Sequence, residues 1–109
     1  MNGDSFKAFV LDQLDGLGRV ECRPMFGGYG LSNGRVFFGI LFKGRLYFKT
    51  GPTSLPAYHA YRMTPFQPSA TMTLKTYSEV PVEILEDADQ LVEWARQAID
   101  AQGKKRKKK

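Results

Sequence analysis

The stretch "RPMFGGYGLSNG", Arg23 to Gly34, decides how this chain is interpreted, because four of its twelve residues are glycine. Glycine-rich segments either cradle a phosphate or let the backbone turn and approach a neighbour closely. A dinucleotide-binding loop needs G-x-G-x-x-G opening a helix, whose N-terminal amides meet the pyrophosphate. Here Gly28 and Gly30 match the first half, but Asn33 stands at the third position and the strand-like run "RVFFGILF" follows. We therefore predict that these glycines shape a sheet and bind no phosphate.

The sequence around this stretch has the composition of strands. From Val20 to Thr50, the runs "RVFFGILFK" and "RLYFKT" are rich in aromatic and branched side chains. Asn33-Gly34 and Lys43-Gly44 separate the runs, and Asn-Gly suits the two positive φ angles of a type I′ hairpin turn. Hairpins of this kind predict an antiparallel sheet.

Helical periodicity appears at both ends of the chain. After Asp4 or Ser5, apolar residues recur at three- and four-residue spacing, at Phe6, Phe9, Val10, Leu14 and Leu17. Asp87 and Gln90 form a capping-box-like start of a last helix. Its apolar stripe consists of Leu91, Trp94, Ala95, Ala98 and Ile99. We expect Trp94 to lie in the core, against the side of the sheet that carries Leu46 and Phe48.

A weak helix at residues 54–61 and a strand at "ATMTLKTY", residues 70–77, complete the pattern. The predicted order is α-β-β-β-(α)-β-α. It indicates an α+β fold with two layers, in which the helices pack on one face of an antiparallel sheet. We expect one domain over residues 1–103.

The net charge of +5 lies in the tail "KKRKKK", which holds six of the sixteen basic residues. The remaining 103 residues carry ten basic and eleven acidic side chains, a net charge of −1. Residues 104–109 have nothing apolar to bury and repel one another, so we predict a disordered basic tail. Such a tail can bind nucleic acid without sequence preference, through phosphate contacts. Its residues are Lys104, Lys105, Arg106, Lys107, Lys108 and Lys109.

The sequence contains little that points to catalysis. His59 is the sole histidine and lies between two tyrosines, as a packing or surface residue would. Cys22 is the sole cysteine and is expected to be a small buried side chain, in keeping with a reducing cytoplasm. One histidine and one cysteine cannot supply the ligands of a zinc site. We predict neither an enzyme nor a cofactor, and no apolar run approaches the roughly 20 residues of a membrane span.

Basic and aromatic side chains alternate on one predicted sheet face. In "RLYFK" Arg45, Tyr47 and Lys49 share a side, and in "TLKTY" Lys75 shares a side with Tyr77. Basic groups between aromatic rings can hold single-stranded nucleic acid by charge and stacking. An ordinary solvated sheet face has the same composition and is the interpretation we favour.

The run "MFGGYGL" and the later "LYFK", residues 46–49, resemble the N-terminal domain of the TfoX family of competence regulators. The residues of this motif are Met25, Phe26, Gly27, Gly28, Tyr29, Gly30 and Leu31. Weaker matches follow in order at Phe66, Tyr77, Val80, Pro81, Leu85, Asp87, Leu91, Trp94 and Ala95. The resemblance implies a two-layer α+β domain, a bacterial cytoplasmic protein and a link to the regulation of DNA transformation.

Two functions therefore stand at this point. The first is a non-enzymatic regulatory domain of the TfoX N-terminal type that binds a protein partner, with a homodimer as one form that it can take. The alternative is a nucleic-acid-binding accessory protein that uses the basic sheet face and the lysine-rich tail. The motif residues are expected to be structural in either case.

Overall fold

The computed structural model describes residues 3–25 and 27–107, and its side chains are described for residues 5–25 and 27–102. The fold is α+β, as predicted, with helices and strands in the order α-β-β-β-β-α-β-β-α-α. A 3-10 turn at Asp15–Leu17 follows the first helix. The elements are α1 (Gly3–Gln13), β1 (Glu21–Met25), β2 (Gly28–Asn33), β3 (Val36–Phe42), β4 (Arg45–Lys49), α2 (Leu55–Ala60), β5 (Pro65–Ser69), β6 (Met72–Glu79), α3 (Val82–Leu85) and α4 (Ala88–Lys107).

The strands form one six-stranded sheet with the order β1-β2-β3-β4-β6-β5, and each neighbouring pair is antiparallel. This sheet has two more strands than the sequence predicted. The first predicted run is divided into β1 and β2, which pair with each other, and Gly27 between them has a φ of 80°. The other unpredicted strand is β5, which contains Pro65 and Pro68. Proline is tolerated there because β5 is an edge strand.

The two hairpin turns on either side of β3 differ in type. At the turn between β3 and β4, Lys43 and Gly44 both have positive φ, 52° and 75°, as a type I′ turn requires. At the turn between β2 and β3, Asn33 still pairs with Val36, so the turn residues are Gly34 and Arg35. The prediction that Asn33-Gly34 forms a type I′ turn is therefore wrong by one residue, since Gly34 alone takes positive φ.

A bulge in β3 sets which side chains face the helices. The register with β2 pairs Leu31 with Gly39 but Ser32 with Phe37, which leaves Phe38 as an extra residue. Phe38 and Gly39 both face the helices as a result. A Cβ at Gly39 would lie 3.1 Å from the ring of Phe48, so glycine leaves room for the contact between the rings of Phe38 and Phe48.

The helix layer covers one face of the sheet and forms the main core. Its largest fully buried members are Tyr58, Phe38, Phe48, Leu14, Leu31, Leu46, Ile84, Leu91 and Val10. Leu46 and Phe48 lie on this side, as the alternation predicted. Helix α4 begins where the capping box predicted, because the Asp87 carboxylate accepts hydrogen bonds from the backbone N–H of Gln90 at 3.1 Å and from its side-chain amide at 3.0 Å.

Trp94 lies at the margin of this core and not inside it. It is half-buried, whereas the fully buried positions of α4 are Leu91, Ala95 and Ala98. Its ring packs against α2 instead of the sheet, with the ring centroid of Tyr58 at 4.7 Å. The predicted apolar stripe of α4 is correct. Its buried centre includes the small residues Ala95 and Ala98, which allow α4 to approach β3 and β4.

Helix α4 extends to Lys107, into the segment that we predicted to be disordered. Lysine and arginine are good helix formers, so the backbone of a capped, packed helix can continue through them. The side chains of residues 103–107 and all of Lys108 and Lys109 lie outside the described residues. The single domain over residues 1–103 and the disordered tail remain predictions. Within the described chain, no helix is long and apolar enough to cross a membrane.

Two of the three motif glycines, Gly28 and Gly30, are required by the close approach of neighbouring residues. A Cβ on Gly28 would collide with the carbonyl oxygen of Leu41, and one on Gly30 would meet the side chains of Met25 and Phe37. Tyr29 and Leu31, on the other side of the strand, pack towards the helices. Phe26 lies outside the described residues.

We expect Gly28→Ala to lower the free energy of unfolding by about 1–3 kcal/mol or more, since backbone blocks the added methyl group. Gly16→Ala is the matched control, because its Cβ would meet only Val92, at an ordinary 3.5 Å. The control should change stability by less than about 1 kcal/mol. Urea denaturation of both variants measures the difference, and equal effects would contradict the structural role of the motif.

Candidate interaction surfaces

The predicted nucleic-acid face of the sheet is largely buried. Tyr47 and Lys49 share a side of β4, opposite Leu46 and Phe48, as the alternation predicted. However, Tyr47, Lys49 and Tyr77 are only 8%, 7% and 9% exposed. The Lys49 ammonium lies over the Tyr77 ring, 5.5 Å from its centroid. Tyr47 and Tyr77 belong to a second apolar cluster, which also includes Ile40, Phe66, Phe37, Phe42 and Leu74.

The hairpin of β5 and β6 covers this face by curling over it. Phe66 is completely buried, and its ring centroid lies 4.7 Å from that of Tyr47 and 5.3 Å from that of Phe42. In a flat sheet the strand β5 would lie three strand spacings, about 14 Å, from β3. The sheet is therefore strongly coiled, and Phe66 occupies the ring surface on which a base would have to stack.

Lys75 does not share a face with Tyr77, contrary to the prediction. The register pairs Pro65 with Ser78 but Phe66 with Leu74, so residues 75–77 of β6 lie between two consecutive pairs. The regular alternation is interrupted there. Leu74 and Tyr77 both pack in the second cluster, whereas Lys75 is exposed.

Arg45 is exposed and paired with an acid of the neighbouring strand. Its guanidinium donates a hydrogen bond of 2.9 Å to the Glu79 carboxylate, and this contact raises the pKa of Arg45 above its ordinary value. The predicted site thus retains two exposed cations, Arg45 and Lys75, without an open ring between them. Nucleic-acid contacts by Arg45, Tyr47, Lys49 and Lys75 remain a prediction.

The structure describes both Cys22 and His59, the two residues that were considered for catalysis. Cys22 is half-buried, and burial raises the pKa of its thiol against the opposing effect of Lys7, so the reactive thiolate is disfavoured. His59 is exposed on α2. Among residues 3–25 and 27–107, no three His, Cys, Asp or Glu side chains are grouped so that they could hold a metal ion.

An aromatic patch, defined by Tyr58, Tyr61 and Trp94, lies between α2 and α4. The Trp94 ring makes edge contacts with both tyrosines, at 4.7 Å from Tyr58 and 5.9 Å from Tyr61. Tyr58 is fully buried and anchors the patch, whereas Tyr61 is 42% exposed. Arg62 follows with a φ of 62°, a conformation that a non-glycine residue rarely adopts. Sequence reasoning missed this patch because it treated Trp94 as core and residues 54–61 as weakly structured.

A second candidate surface is a cleft at the end of the sheet, here called the turn cleft. It has a volume of about 270 Å³ and lies between the β3–β4 turn and α3. Buried Leu46 and Val80 lie at its base, and Val82 is 57% exposed at its rim. The other lining residues are Lys43, Gly44, Arg45, Glu79 and Leu85. The sequence predicted only the turn at this place, since α3 has just four residues and no strong periodic signal.

Comparison with known protein families finds a match to one family model. The family model described as the TfoX N-terminal domain matches residues 12–102. The matched range includes all of the sheet and the motif glycines, so it agrees with the resemblance found at "MFGGYGL". No curated protein matches the chain significantly.

The buried tyrosines predict a loss of stability in alkali. Burial raises the pKa of Tyr77 to about 12 from an ordinary 10, and it raises the pKa of Tyr58 further. A pKa that is higher in the folded state leaves stability intact below pH 10. Between about pH 10 and 12 the unfolded chain ionises first, so the free energy of unfolding must fall.

Urea denaturation at a series of alkaline pH values measures this loss. We expect a shallower fall for Tyr77→Phe than for the wild type, because the variant retains the ring but has no hydroxyl to ionise. Parallel curves for the two proteins would show that Tyr77 does not contribute to the alkaline loss.

Proposed function

The chain belongs to the TfoX N-terminal domain family, and from that premise we propose that it is a non-enzymatic regulatory domain that acts by binding a protein partner. The process is control of competence for DNA transformation in the bacterial cytoplasm. The single observation that best supports a protein partner is the aromatic patch of Tyr58, Tyr61 and Trp94.

The composition of the patch is that of a binding hot spot. Tryptophan, tyrosine and arginine are enriched among the residues that dominate protein–protein binding energy. Tyr61 is exposed, Trp94 is half-buried, and the exposed Arg62 follows Tyr61 in the sequence. Because tyrosine and tryptophan have few rotatable bonds, little conformational entropy is lost when a partner covers them.

The patch is also held in place before any partner arrives. Tyr58 is buried in the main core, and the backbone N–H of Tyr61 donates hydrogen bonds to the carbonyl oxygens of Ala57 and Tyr58 at 3.3 and 3.1 Å. The backbone N–H of Met63 donates to the Tyr58 carbonyl oxygen at 3.0 Å, which closes the chain around Arg62. A preorganised surface of this kind supports specific recognition, because binding need not pay to order it.

We expect Tyr61→Ala to reduce capture of the partner from nuclease-treated lysate at least about tenfold, as loss of a hot-spot ring does. Phe9→Ala is the matched control, because Phe9 is 40% exposed against 42% for Tyr61. The same two variants are also tested in cells, by complementation of a strain from which the gene for this protein has been deleted. Tyr61→Ala should lower the transformation frequency and Phe9→Ala should not. Equal behaviour of the two variants would contradict the proposal.

A second function, nucleic-acid binding, is favoured by one feature. Helix α4 continues to Lys107, so its helical backbone runs directly from the folded body into the basic segment. We propose as the alternative that this segment holds polyanions, with Arg45 and Lys75 as secondary contacts. Lys49 is too deeply buried to serve in the same way.

If all six basic residues of the tail contact phosphates of duplex DNA, log affinity should fall against log salt with a slope near about −5. Removal of residues 104–109 should abolish this dependence. Retention of a weaker, salt-dependent affinity would implicate Arg45 and Lys75, and the double alanine variant should then remove it. Unchanged affinity after the deletion would exclude the tail as the binding element. Fluorescence anisotropy with two unrelated duplex sequences provides the measurement and the check of sequence independence.

A further inference from the structure

Val82 is the most exposed large apolar side chain of the described residues, at 57%, and it lies at the rim of the turn cleft. The side chains beneath it are apolar, since Leu46 and Val80 are buried and Leu85 is half-buried. An exposed apolar side chain beside a cleft that has apolar as well as charged lining residues can insert into the matching cleft on another molecule. The charges around the cleft indicate which molecule that is.

Exposed side chains of both charge signs lie near Val82. The β3–β4 turn contributes Lys43 and Arg45, both exposed. Glu79, the acid that lines the cleft, pairs with Arg45, and two further exposed acids, Glu83 and Glu86, lie in α3 and directly after it. Glu86 follows Val82 by four residues, and its backbone N–H donates to the Val82 carbonyl oxygen at 3.0 Å, so both belong to one helical turn. We call Lys43 and Arg45 the basic rim, and Glu83 and Glu86 the acidic rim, of the surface around Val82.

We propose that this bipolar surface is a twofold-symmetric interface between two copies of the chain. A twofold axis beside Val82 places the basic rim of each copy against the acidic rim of the other, so every charge contact occurs twice. A uniformly acidic or basic partner would be attracted by one rim and repelled by the other. A second copy carries both rims, so each rim can meet one of opposite charge. Charge complementarity therefore favours a second copy over a uniformly acidic or a uniformly basic partner.

The two edge strands of the sheet hinder association through a further strand, which favours association through side-chain surfaces of this kind. Both edge strands contain proline, Pro24 in β1 and Pro65 and Pro68 in β5. The pair Met25–Gly28 closes a two-residue hairpin, so the neighbouring Pro24 lies at an outward-facing position of the ladder. Proline offers no N–H there, which hinders pairing with a further strand.

The basic rim is held in position by contacts within the chain. The type I′ turn fixes the backbone of Lys43, whose ammonium lies 5.3 Å from the centroid of the Phe42 ring. Arg45 is anchored by Glu79, whose side chain is 18% exposed against 60% for Arg45. Because the cleft is small, we expect a weak dimer with a dissociation constant on the order of micromolar.

This inference goes beyond the proposed function, which rests on the aromatic patch, and the two surfaces share no residue. Sedimentation equilibrium of the full chain tests the dimer directly and needs no partner. Tyr61→Ala should leave the dimer unchanged, so failure of one proposal is distinguishable from failure of the other.

Charge reversal tests the symmetry. Lys43→Glu and Glu86→Lys should each weaken dimerisation at least about tenfold, since like charges then face each other at both symmetry-related contacts. An equimolar mixture of the two variants should restore it, because opposite charges meet at both contacts of the mixed pair. Val82→Asp should abolish the dimer, whereas Met72→Asp, at a position 46% exposed on the β5–β6 hairpin, should not.

Thermal unfolding of each variant establishes that it remains folded at the temperature of the measurement. A wild-type protein that stays monomeric at several hundred micromolar would overturn the proposal, since a micromolar dimer is fully formed there. A dimer that survives Val82→Asp, or one that the mixture does not restore, would place the interface elsewhere and overturn it as well.

Discussion

The contact of Phe66 with Tyr47 is the interaction on which the rest of the sheet depends. It holds the β5–β6 hairpin over the face that the helices leave open, and it buries aromatic side chains from β3, β4 and β6 in one cluster. Without that closure, a 109-residue chain would have one core and a wide apolar face exposed to water. With it, the central strand β4 is covered on both sides, and Lys49 is buried with its ammonium over the Tyr77 ring.

The glycines of the motif serve the same closure from the other end of the sheet. Gly28 lets β2 approach the backbone of β3 at Leu41, and Gly30 accepts Met25 and Phe37 above it. Phe37 in turn makes an edge contact with Tyr77, with ring centroids 6.0 Å apart. The family motif and the hairpin are thus joined through packed side chains. Gly28 and Gly30 of the motif therefore have a packing role in the sheet.

Alternation and periodicity predicted the fold class, the side of β4 that faces the helices, and the cap at Asp87, because each depends on local geometry. They could not predict that the β5–β6 hairpin covers the face of the sheet opposite the helices. Alternation states which side a residue takes, but only the register of β5 against β6 shows that residues 75–77 interrupt it. The basic face was therefore expected to be open. The apolar stripe of α4 is wider than its fully buried centre. Trp94 therefore lies at the margin of the core, where it forms part of the surface.

Charge is unevenly distributed along the sequence of the body. Residues 19–75 carry eight basic side chains and one acidic one, whereas residues 76–103 carry seven acidic side chains and one basic one. The pair Arg45–Glu79 joins these two segments where β4 pairs with β6. An exposed ion pair of this kind contributes only about 0–1 kcal/mol to stability, so the fold does not depend on it. Its consequence is electrostatic, because it marks the boundary between rims of opposite sign beside the turn cleft. A surface that carries both positive and negative charges selects a partner by how the partner's charges are arranged. The partner's net charge alone does not determine whether it binds. Residues 1–103 have a net charge of −1, so we expect a general attraction to nucleic acid to come from the tail and arrangement-dependent recognition to come from the body.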